Sequence, residues 1–567
     1  MTKIHTLKIS HFRGIESFEQ VFGLQNFICL VGRGDSGKST ILDAICCVLS
    51  ASWNLGLSDI DFHNHDISQP IKIAATLYEL PPTLMREEKY GLHQRFLDIE
   101  TNTVSDIATD NTIPALTIEL TVEKDLEARR YVINDRQDPK EIKTSDRATL
   151  NVFLISDYIN QHFSWGKGSP LSALLKQEGG EHSNDEVIDI LREAHAKVGF
   201  EAFNYLEPIV SKIKSGASQF GVNISQTSTT IDFKDIVTKD NKVTLHDNKI
   251  PFRLKGKGSK RLISMAIQNE LVQNGGIVLI DEVEQGLEPD RVKHVIRNLM
   301  GKNQGQIILT THAQGVVEDV ECENLLRIKN EGGIVTGQFV PSTDKFQMLI
   351  RRCPEAIYAK KVIVCEGKTE LGICRAMDEY RIQNRLPSMS SKDTVYIRGS
   401  GNESTETAKR IKEMGLKIAL FCDSDVDATL RPSKQTLRDN DISIFDCDDG
   451  FCIEKHIINE LPWAGIKELI QYRISKQGGN VQSVFNDVNN YYEGDLPTDW
   501  VDRDTQEIRN ALFAAATYKT ATEDKSWFKR IDHGIFLGST IYKYFPQMDD
   551  KPIKAKIIAL STRIDND

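Results

Sequence analysis

Short apolar runs alternate with amphipathic stretches along this chain. FICLVG (27–32) is apolar throughout, the pattern of a strand buried on both faces. A glycine-rich turn and the helix-like STILDAICCVLS (39–50) follow it. NVFLISD (151–157), GGIVLIDE (275–282) and GQIILTTH (305–312) have the same buried-strand character. DRVKHVIRNLM (290–300) between the last two is helix-patterned, so this stretch reads as a β-α-β unit. Residues 4–12, 71–79 and 115–123 read as further strands, 124–150 as a charged loop, and 170–215 as amphipathic helix. A second α/β series begins near 346: strand KKVIVCEG (360–367), helix TELGICRAMDEYRIQ, then strands DTVYIRGSG and LKIALFCDSD (416–425). After about 470 the pattern is helical and polar. The expected fold class is therefore α/β, divided at 1–345, 346–470 and a C-terminal helical extension 471–567. An insert at about 155–225 offers apolar helical faces for dimerisation.

Length and composition narrow the class. A chain of 567 residues holds roughly three or four domains of ~150 residues. Its 40% hydrophobic and 27% charged residues are ordinary for globular chains. No run approaches the ~18 apolar residues of a membrane span, and MTKIHTLKIS lacks the apolar core of a signal peptide. The ten cysteines form no CxxC and no regular framework, so a reduced cytoplasmic setting is expected rather than a zinc site. The net charge of −11, from 70 Lys+Arg against 81 Asp+Glu, excludes a broad basic coat for nucleic acid. It leaves room for a local basic groove, or for acids gathered around metal.

Residues 32–39, Gly-Arg-Gly-Asp-Ser-Gly-Lys-Ser, fit a phosphate-cradling loop between a strand and a helix. Gly32, Gly34, Ser36 and Gly37 let backbone N–H groups face phosphate oxygens, Lys38 reaches the β and γ phosphates, and Ser39, followed by Thr40, can hold Mg²⁺. Asp281 and Glu282 end the IVLI strand; Asp281 can hold Mg²⁺ through water and Glu282 can orient the attacking water. His312, at the end of the next strand, can reach the γ phosphate. KGKGSKR (255–261), with Gly258 and Ser259, opens a helix and offers a second anion-binding turn. Each acid or histidine taken singly is commonly just a strand end or a cap. The order of the set is what points to ATP and Mg²⁺.

A second group is acidic. Glu366 ends a strand, Glu370 stands four residues on, Asp423 and Asp425 end another strand, and Glu454 follows in FCIEKHI. Strand-end acids at the carboxyl edge of a parallel sheet make a site. Crowded together they repel unless a divalent cation neutralises them, and oxygen ligands suit Mg²⁺ or Mn²⁺.

The first series resembles the ABC-type ATPase head of the SMC/RecF-like class, with 255–261 at the signature loop and 286–290 at the D-loop. That resemblance implies ATP sandwiched between two heads, hence a homodimer through the heads, with a tetramer as the larger assembly. KGKGSKR departs from the family's usual signature loop. The second group resembles a Toprim domain. A head followed by a Toprim unit resembles the OLD (overcoming lysogenization defect) family of nucleases, and FHNHD (62–66) is similar to the nuclease subunit of Gabija anti-phage systems. The resemblance implies an ATP-regulated DNA endonuclease in anti-phage defence. It carries two Mg²⁺ or Mn²⁺ at Glu366, Glu370, Asp423, Asp425 and Glu454. A C-terminal lysine assists cleavage, for which Lys525 is preferred to Lys529. DNA, and a neighbouring helicase or retron-type RNA, are the implied partners; no membrane is. The competing reading is a RecF/SMC-like repair ATPase that clamps DNA with a non-cleaving Toprim unit. His63-Asn64-His65 is set aside because an HNH nuclease spreads its residues over a ββα unit. Tyr491–Tyr492 is the sole candidate for a topoisomerase nucleophile and has no domain around it.

Overall fold

A computed structural model describes the chain except for residues 1, 53–54, 157–158, 166–168, 180–203, 226, 232–242, 274, 302–304, 425–429, 449, 477, 519–525 and 566–567. Two compact units divide the chain, Met1–Gln347 and Met348–Asp567.

In the first unit the apolar runs become parallel neighbours, in the order Val152–Ile155, Ile277–Ile280, Gln306–Thr310, Phe27–Val31 and Leu325–Glu331. Every residue of Phe27–Val31, Ile277–Ile280 and Gln306–Thr310 is buried, as their largely apolar sequences require. The sheet then continues through Ile334–Phe339 and Ile15–Val21 to antiparallel strands Lys3–Phe12, Ile71–Tyr78 and Thr112–Val122.

The charged stretch 124–150 is not simply loop. Ala128–Ile133 is a strand paired with Thr112–Val122, and Lys140–Glu141 pairs with it in turn. Charge hid the strand because its arginines are consumed locally. Arg130 is buried and donates to the Cys47 carbonyl at 3.0 and 2.8 Å, near the end of helix Lys38–Leu49. Arg147 likewise donates to the Ser50 carbonyl at 3.0 Å. A cation at a helix C-terminus meets the orphan carbonyls and the negative end of the dipole.

The dimerisation insert also looks different in structure. Helices Pro170–Gln177 and Glu207–Gln219 pack on Lys257–Gln273 of the same chain. Leu171, Leu174, Leu175, Ile209, Val210 and Ile213 are all buried, so these apolar faces are already covered. The rest of the predicted helical stretch lies outside the described residues.

The second unit holds a four-stranded parallel sheet, ordered Thr394–Arg398, Lys361–Cys365, Lys417–Cys422, Ser443–Asp446. Helices Lys368–Gln383, Ser404–Glu413 and Lys434–Asp439 alternate with the strands, the doubly wound arrangement. Residues after 470 share one core with it: Ile363, Phe421 and Ile373 cluster with Leu512, Phe528, Leu537 and Ile557. Helix Ile531–Tyr544 lies against Lys368–Gln383 at unusually close range. A Cβ added to Gly534 would sit 2.7 Å from the Thr369 carbonyl, and one added to Gly538 would sit 2.7 Å from the Ala376 Cβ. Among the described residues no helix is long and apolar enough to cross a membrane.

Gly534→Val is therefore expected to destabilise the second unit by about 1–3 kcal/mol, the usual cost of overpacking a filled contact. A urea unfolding curve of the full chain reads this out; an unshifted midpoint would contradict the close packing.

Candidate functional site

Two clusters form where buried strands end, one in each unit. In the first, Gly32 follows Val31 with φ of 152°, and a Cβ there would strike the Ile328 carbonyl, so only glycine fits this turn. The 32–37 turn wraps around its own lysine. Lys38 opens helix Lys38–Leu49 and is 4% exposed. Its Nζ donates to the Gly32 carbonyl at 2.9 Å, the Arg33 carbonyl at 2.8 Å and Ser36 Oγ at 3.1 Å. Burial lowers its pKa to about 8, against the opposing pull of Asp281, Glu282, Asp35 and Glu284. Ser39 Oγ donates to Asp281 Oδ1 at 2.9 Å. Thr40 continues the helix, and Gly34 lies in the turn.

Asp281 and Glu282 follow strand Ile277–Ile280. Thr310 Oγ1 donates to Asp281 Oδ1 at 2.7 Å and accepts from the Glu282 N–H at 2.7 Å. Glu282 sits at φ of 47°, a left-handed conformation that is uncommon for a side chain-bearing residue and tends to mark functional turns. His312 follows strand Gln306–Thr310; burial and then Lys38 lower its pKa, against Glu284, Glu282 and Asp281. Lys38, Ser39, Asp281, Glu282 and His312 thus come together.

Gly258 and Ser259 lie in the first turn of helix Lys257–Gln273, which starts earlier than the glycine- and lysine-rich pattern predicts. Gly258 lies against the Gly286 carbonyl, where a Cβ would clash. Sequence reasoning missed Arg261 and Glu284. Arg261, almost fully buried, donates to the Asp281 and Glu282 carbonyls, the latter at 2.8 Å, and to Gln285 Oε1 at 2.8 Å. This part of the signature-like segment therefore binds its own strand turn. The helix-opening basic cluster was the available signal, but it pointed outward to an anion. The FHNHD segment is held by the first hairpin: His63 Nδ1 donates to the Arg13 carbonyl at 2.8 Å. Arg13 pairs with Asp61 at 2.8 Å and with Asp43 of the phosphate-loop helix.

In the second unit, Glu366 follows strand Lys361–Cys365 and Asp423 follows Lys417–Cys422. Glu366 Oε2 accepts from the Asp423 N–H at 2.9 Å. Glu370, in the first turn of its helix, accepts from the Gly367 N–H at 2.7 Å. Asp423 Oδ1 accepts from the Ile453 N–H at 2.8 Å. Glu454, 1% exposed, lies 3.2 Å from Thr369 Oγ1 and pairs with Lys529 Nζ at 2.8 Å. Its other oxygen, Oε2, is buried with no hydrogen-bond partner. Burial, then Glu370, Glu454 and Glu366, raises Asp423 to about 9. Burial and Glu454 raise Glu370 to about 7. Burial opposes the charge on Lys529, but Glu454, Glu370 and Asp423 outweigh it and hold the ammonium well above its usual range.

Asp425 and Lys525 lie outside the described residues. The lysine found at the cluster is Lys529. It arrives there because Thr369 Oγ1 donates to the Phe528 carbonyl at 3.0 Å and because the glycine contact holds the following helix close. Among the described residues, no group of three or more His, Cys, Asp or Glu side chains is disposed to enclose a metal ion. The donor set is nonetheless all oxygen, and both the partnerless Glu454 oxygen and the mutual repulsion of the acids are relieved by a hard divalent cation.

Residues 2–317 match a family model described as AAA ATPase domain. No curated protein matches the chain. Among solved structures, an Smc head domain with an extended coiled coil, bound to the C-terminal domain of ScpA and derived from Pyrococcus furiosus, is 15% identical. The match covers 62% of this chain and 100% of that one, with a TM-score of 0.38. The recombination mediator protein RecF with a bound ATP analogue is 14% identical over 59% of this chain and 98% of that chain, at 0.35. The SMC head domain from Thermotoga maritima is 13% identical over 60% and 99%, at 0.29.

Lys38→Ala is expected to weaken ATP binding at least tenfold, about 1.4 kcal/mol or more, because it removes the cation on which the phosphates would rest. Titration with a fluorescent ATP analogue measures this; affinity like that of the wild type would place the phosphates elsewhere.

Proposed function

The chain belongs to the AAA ATPase domain family, and from that premise we propose that it is an ATP-regulated, metal-dependent DNA endonuclease of the OLD type, serving anti-phage defence. The carrying observation is the convergence of Glu366, Glu370, Asp423 and Glu454 with Lys529 beside the carboxyl edge of the second unit's parallel sheet. Sheet order and site position together support reading this unit as Toprim.

At the head, the 32–38 loop and Lys38 bind the triphosphate, and Ser39 with Asp281 supplies oxygen ligands for Mg²⁺. Glu282 orients the attacking water, and His312 approaches the γ phosphate. At the second cluster, Glu366, Glu370, Asp423 and Glu454, with Asp425, would be the oxygen donors for two Mg²⁺ or Mn²⁺, which when bound would supply water activation and charge neutralisation at the leaving oxygen. Lys529 adds positive charge where the phosphodiester gains negative charge. The tie between Glu366 and the Asp423 N–H keeps the two strand ends in one arrangement. DNA is the substrate class, and a homodimer through the heads is the assembly proposed for ATP closure.

A second reading also has an observation behind it. The described acids form no ready metal cage, which favours a RecF/SMC-like repair ATPase that clamps DNA without cutting it.

The two readings separate in a plasmid-nicking assay with Mg²⁺ or Mn²⁺. Wild-type chain is expected to cut. Asp423→Ala and Glu366→Ala are expected to lose cutting by about a hundredfold or more while keeping ATP turnover, as loss of a metal ligand demands. Lys529→Met is expected to cut more slowly with ATP turnover intact. Absence of cutting by wild type with either metal, with and without ATP, selects the clamp reading.

A further inference from the structure

The turn after strand Ile277–Ile280 carries a third acid, Glu284, to which neither motif assigns a role. Its carboxylate reaches across to the end of the neighbouring strand. Oε2 accepts from Thr311 Oγ1 at 2.8 Å, and Oε1 accepts from the His312 N–H at 2.6 Å. Thr311 Oγ1 in turn accepts from the Ala313 N–H at 3.0 Å. One residue earlier, Thr310 is tied to Asp281 and Glu282, and the Val283 N–H donates to the Thr310 carbonyl at 3.0 Å. Three successive residues of one strand end are therefore latched to the turn that carries Asp281 and Glu282.

The strands provide only part of this. On one side the ladder pairs Ile280 with Leu309 and stops there; on the other, Thr310 pairs with Leu30 and the Thr311 N–H donates to the Leu30 carbonyl at 3.4 Å. Beyond that point the backbone of 311–313 is irregular, and its direction is set by whatever accepts its N–H groups. Glu284 is that acceptor for His312. Its two oxygens accept from the Thr311 hydroxyl and the His312 N–H. An amide could keep both bonds, since a hydroxyl also accepts, whereas an apolar side chain makes neither.

We propose that Glu284 is a positioning residue for ATP hydrolysis: it holds His312 at the γ-phosphate side of the site and couples it to the Asp281–Glu282 turn. The inference rests on the reading of His312 as a hydrolytic residue. It adds that the histidine's placement depends on Glu284 beyond what the sheet fixes. ATP binding, which falls to the 32–38 loop, is independent of the latch.

Steady-state ATP hydrolysis by the full chain tests this with Glu284→Leu, Thr311→Val, His312→Ala and the Glu284→Leu/His312→Ala double variant, each checked for its melting temperature. Glu284→Leu is expected to lower kcat about tenfold or more with KM within about twofold, the signature of an interaction used only in the transition state. Thr311→Val, which loses one of the two hydrogen bonds, is expected to fall between it and wild type. The double variant is expected to be no slower than His312→Ala, since contacting groups that act as one unit are not additive. Wild-type kcat in Glu284→Leu, a rise in KM alone, or multiplied losses in the double variant would overturn the inference. Wild-type turnover by His312→Ala would instead overturn the role given to His312. Should Glu284→Leu melt below the assay temperature, Thr311→Val against His312→Ala decides by the same kcat criterion.

Discussion

A strand covered on both faces meets no water along its length, and an unpaired charge placed there costs several kcal/mol or neutralises itself. Polar chemistry is therefore displaced to the strand's ends. When the strands are parallel, those ends fall on one edge. Both units of this chain are arranged by that constraint. In the first, the in-register pairs Ile280–Leu309 and Leu309–Cys29 bring the exits of three buried strands level, so Gly32, Asp281 and Thr311 emerge side by side. In the second, the pairing of Cys365 with Phe421 does the same for Glu366 and Asp423. The apolar core thus determines where each site lies before any catalytic side chain is considered.

The two edges resolve the resulting charge differently. Around Lys38 the charges are of mixed sign, and two of the acids have donors: Ser39 and Thr310 for Asp281, Thr311 and His312 for Glu284. In the second unit, among the described residues, Glu454, Glu370 and Asp423 gather around the Lys529 ammonium, with Glu366 beside them. Backbone N–H groups from Gly367, Asp423 and Ile453 carry part of the load. They leave Asp423 and Glu370 with raised pKa values. A hydrogen bond to a carboxylate stabilises its charge but does not cancel its neighbour's.

What could be read in advance follows the same division. Features local in sequence were legible: the glycine loop before Lys38, the acids that end apolar runs, and the β-α-β spacing between them. Features that depend on two distant segments meeting were not. Arg130 is buried only because the Cys47 carbonyl waits 83 residues away in sequence, so a charged strand looked like a loop. Lys529 reaches Glu454 because Gly534 and Gly538 let two helices approach closely. The glycines stand in the sequence four apart, but their partner helix does not announce itself. Arg261 and Glu284 sit beside recognisable motifs, yet part of their bonding is to backbone groups of other segments, the Asp281 and Glu282 carbonyls and the His312 N–H, and backbone groups leave no mark in a sequence. The apolar stripes of Pro170–Gln177 and Glu207–Gln219 show the converse: they were visible in the sequence, while the helix of the same chain that covers them was not identifiable as their partner.

The net charge takes on meaning from this geometry. A phosphodiester is anionic, and the described part of the second cluster in its metal-free form sets Glu366, Glu370, Asp423 and Glu454, two of them with raised pKa values, against Lys529. Substrate and cluster would repel in that state. Under the nuclease reading, cations that neutralise the acids must also raise affinity for the substrate, and by reciprocity the substrate must raise affinity for the cations. An acidic chain is then no obstacle to acting on DNA, because the acids near the substrate are the ones whose charge is removed when the site is loaded. The acids elsewhere limit unspecific adhesion to the backbone of nucleic acid, which depends on an excess of basic residues. The −11 and a DNA-cutting centre are thus compatible, provided that binding and metal loading are one coupled event.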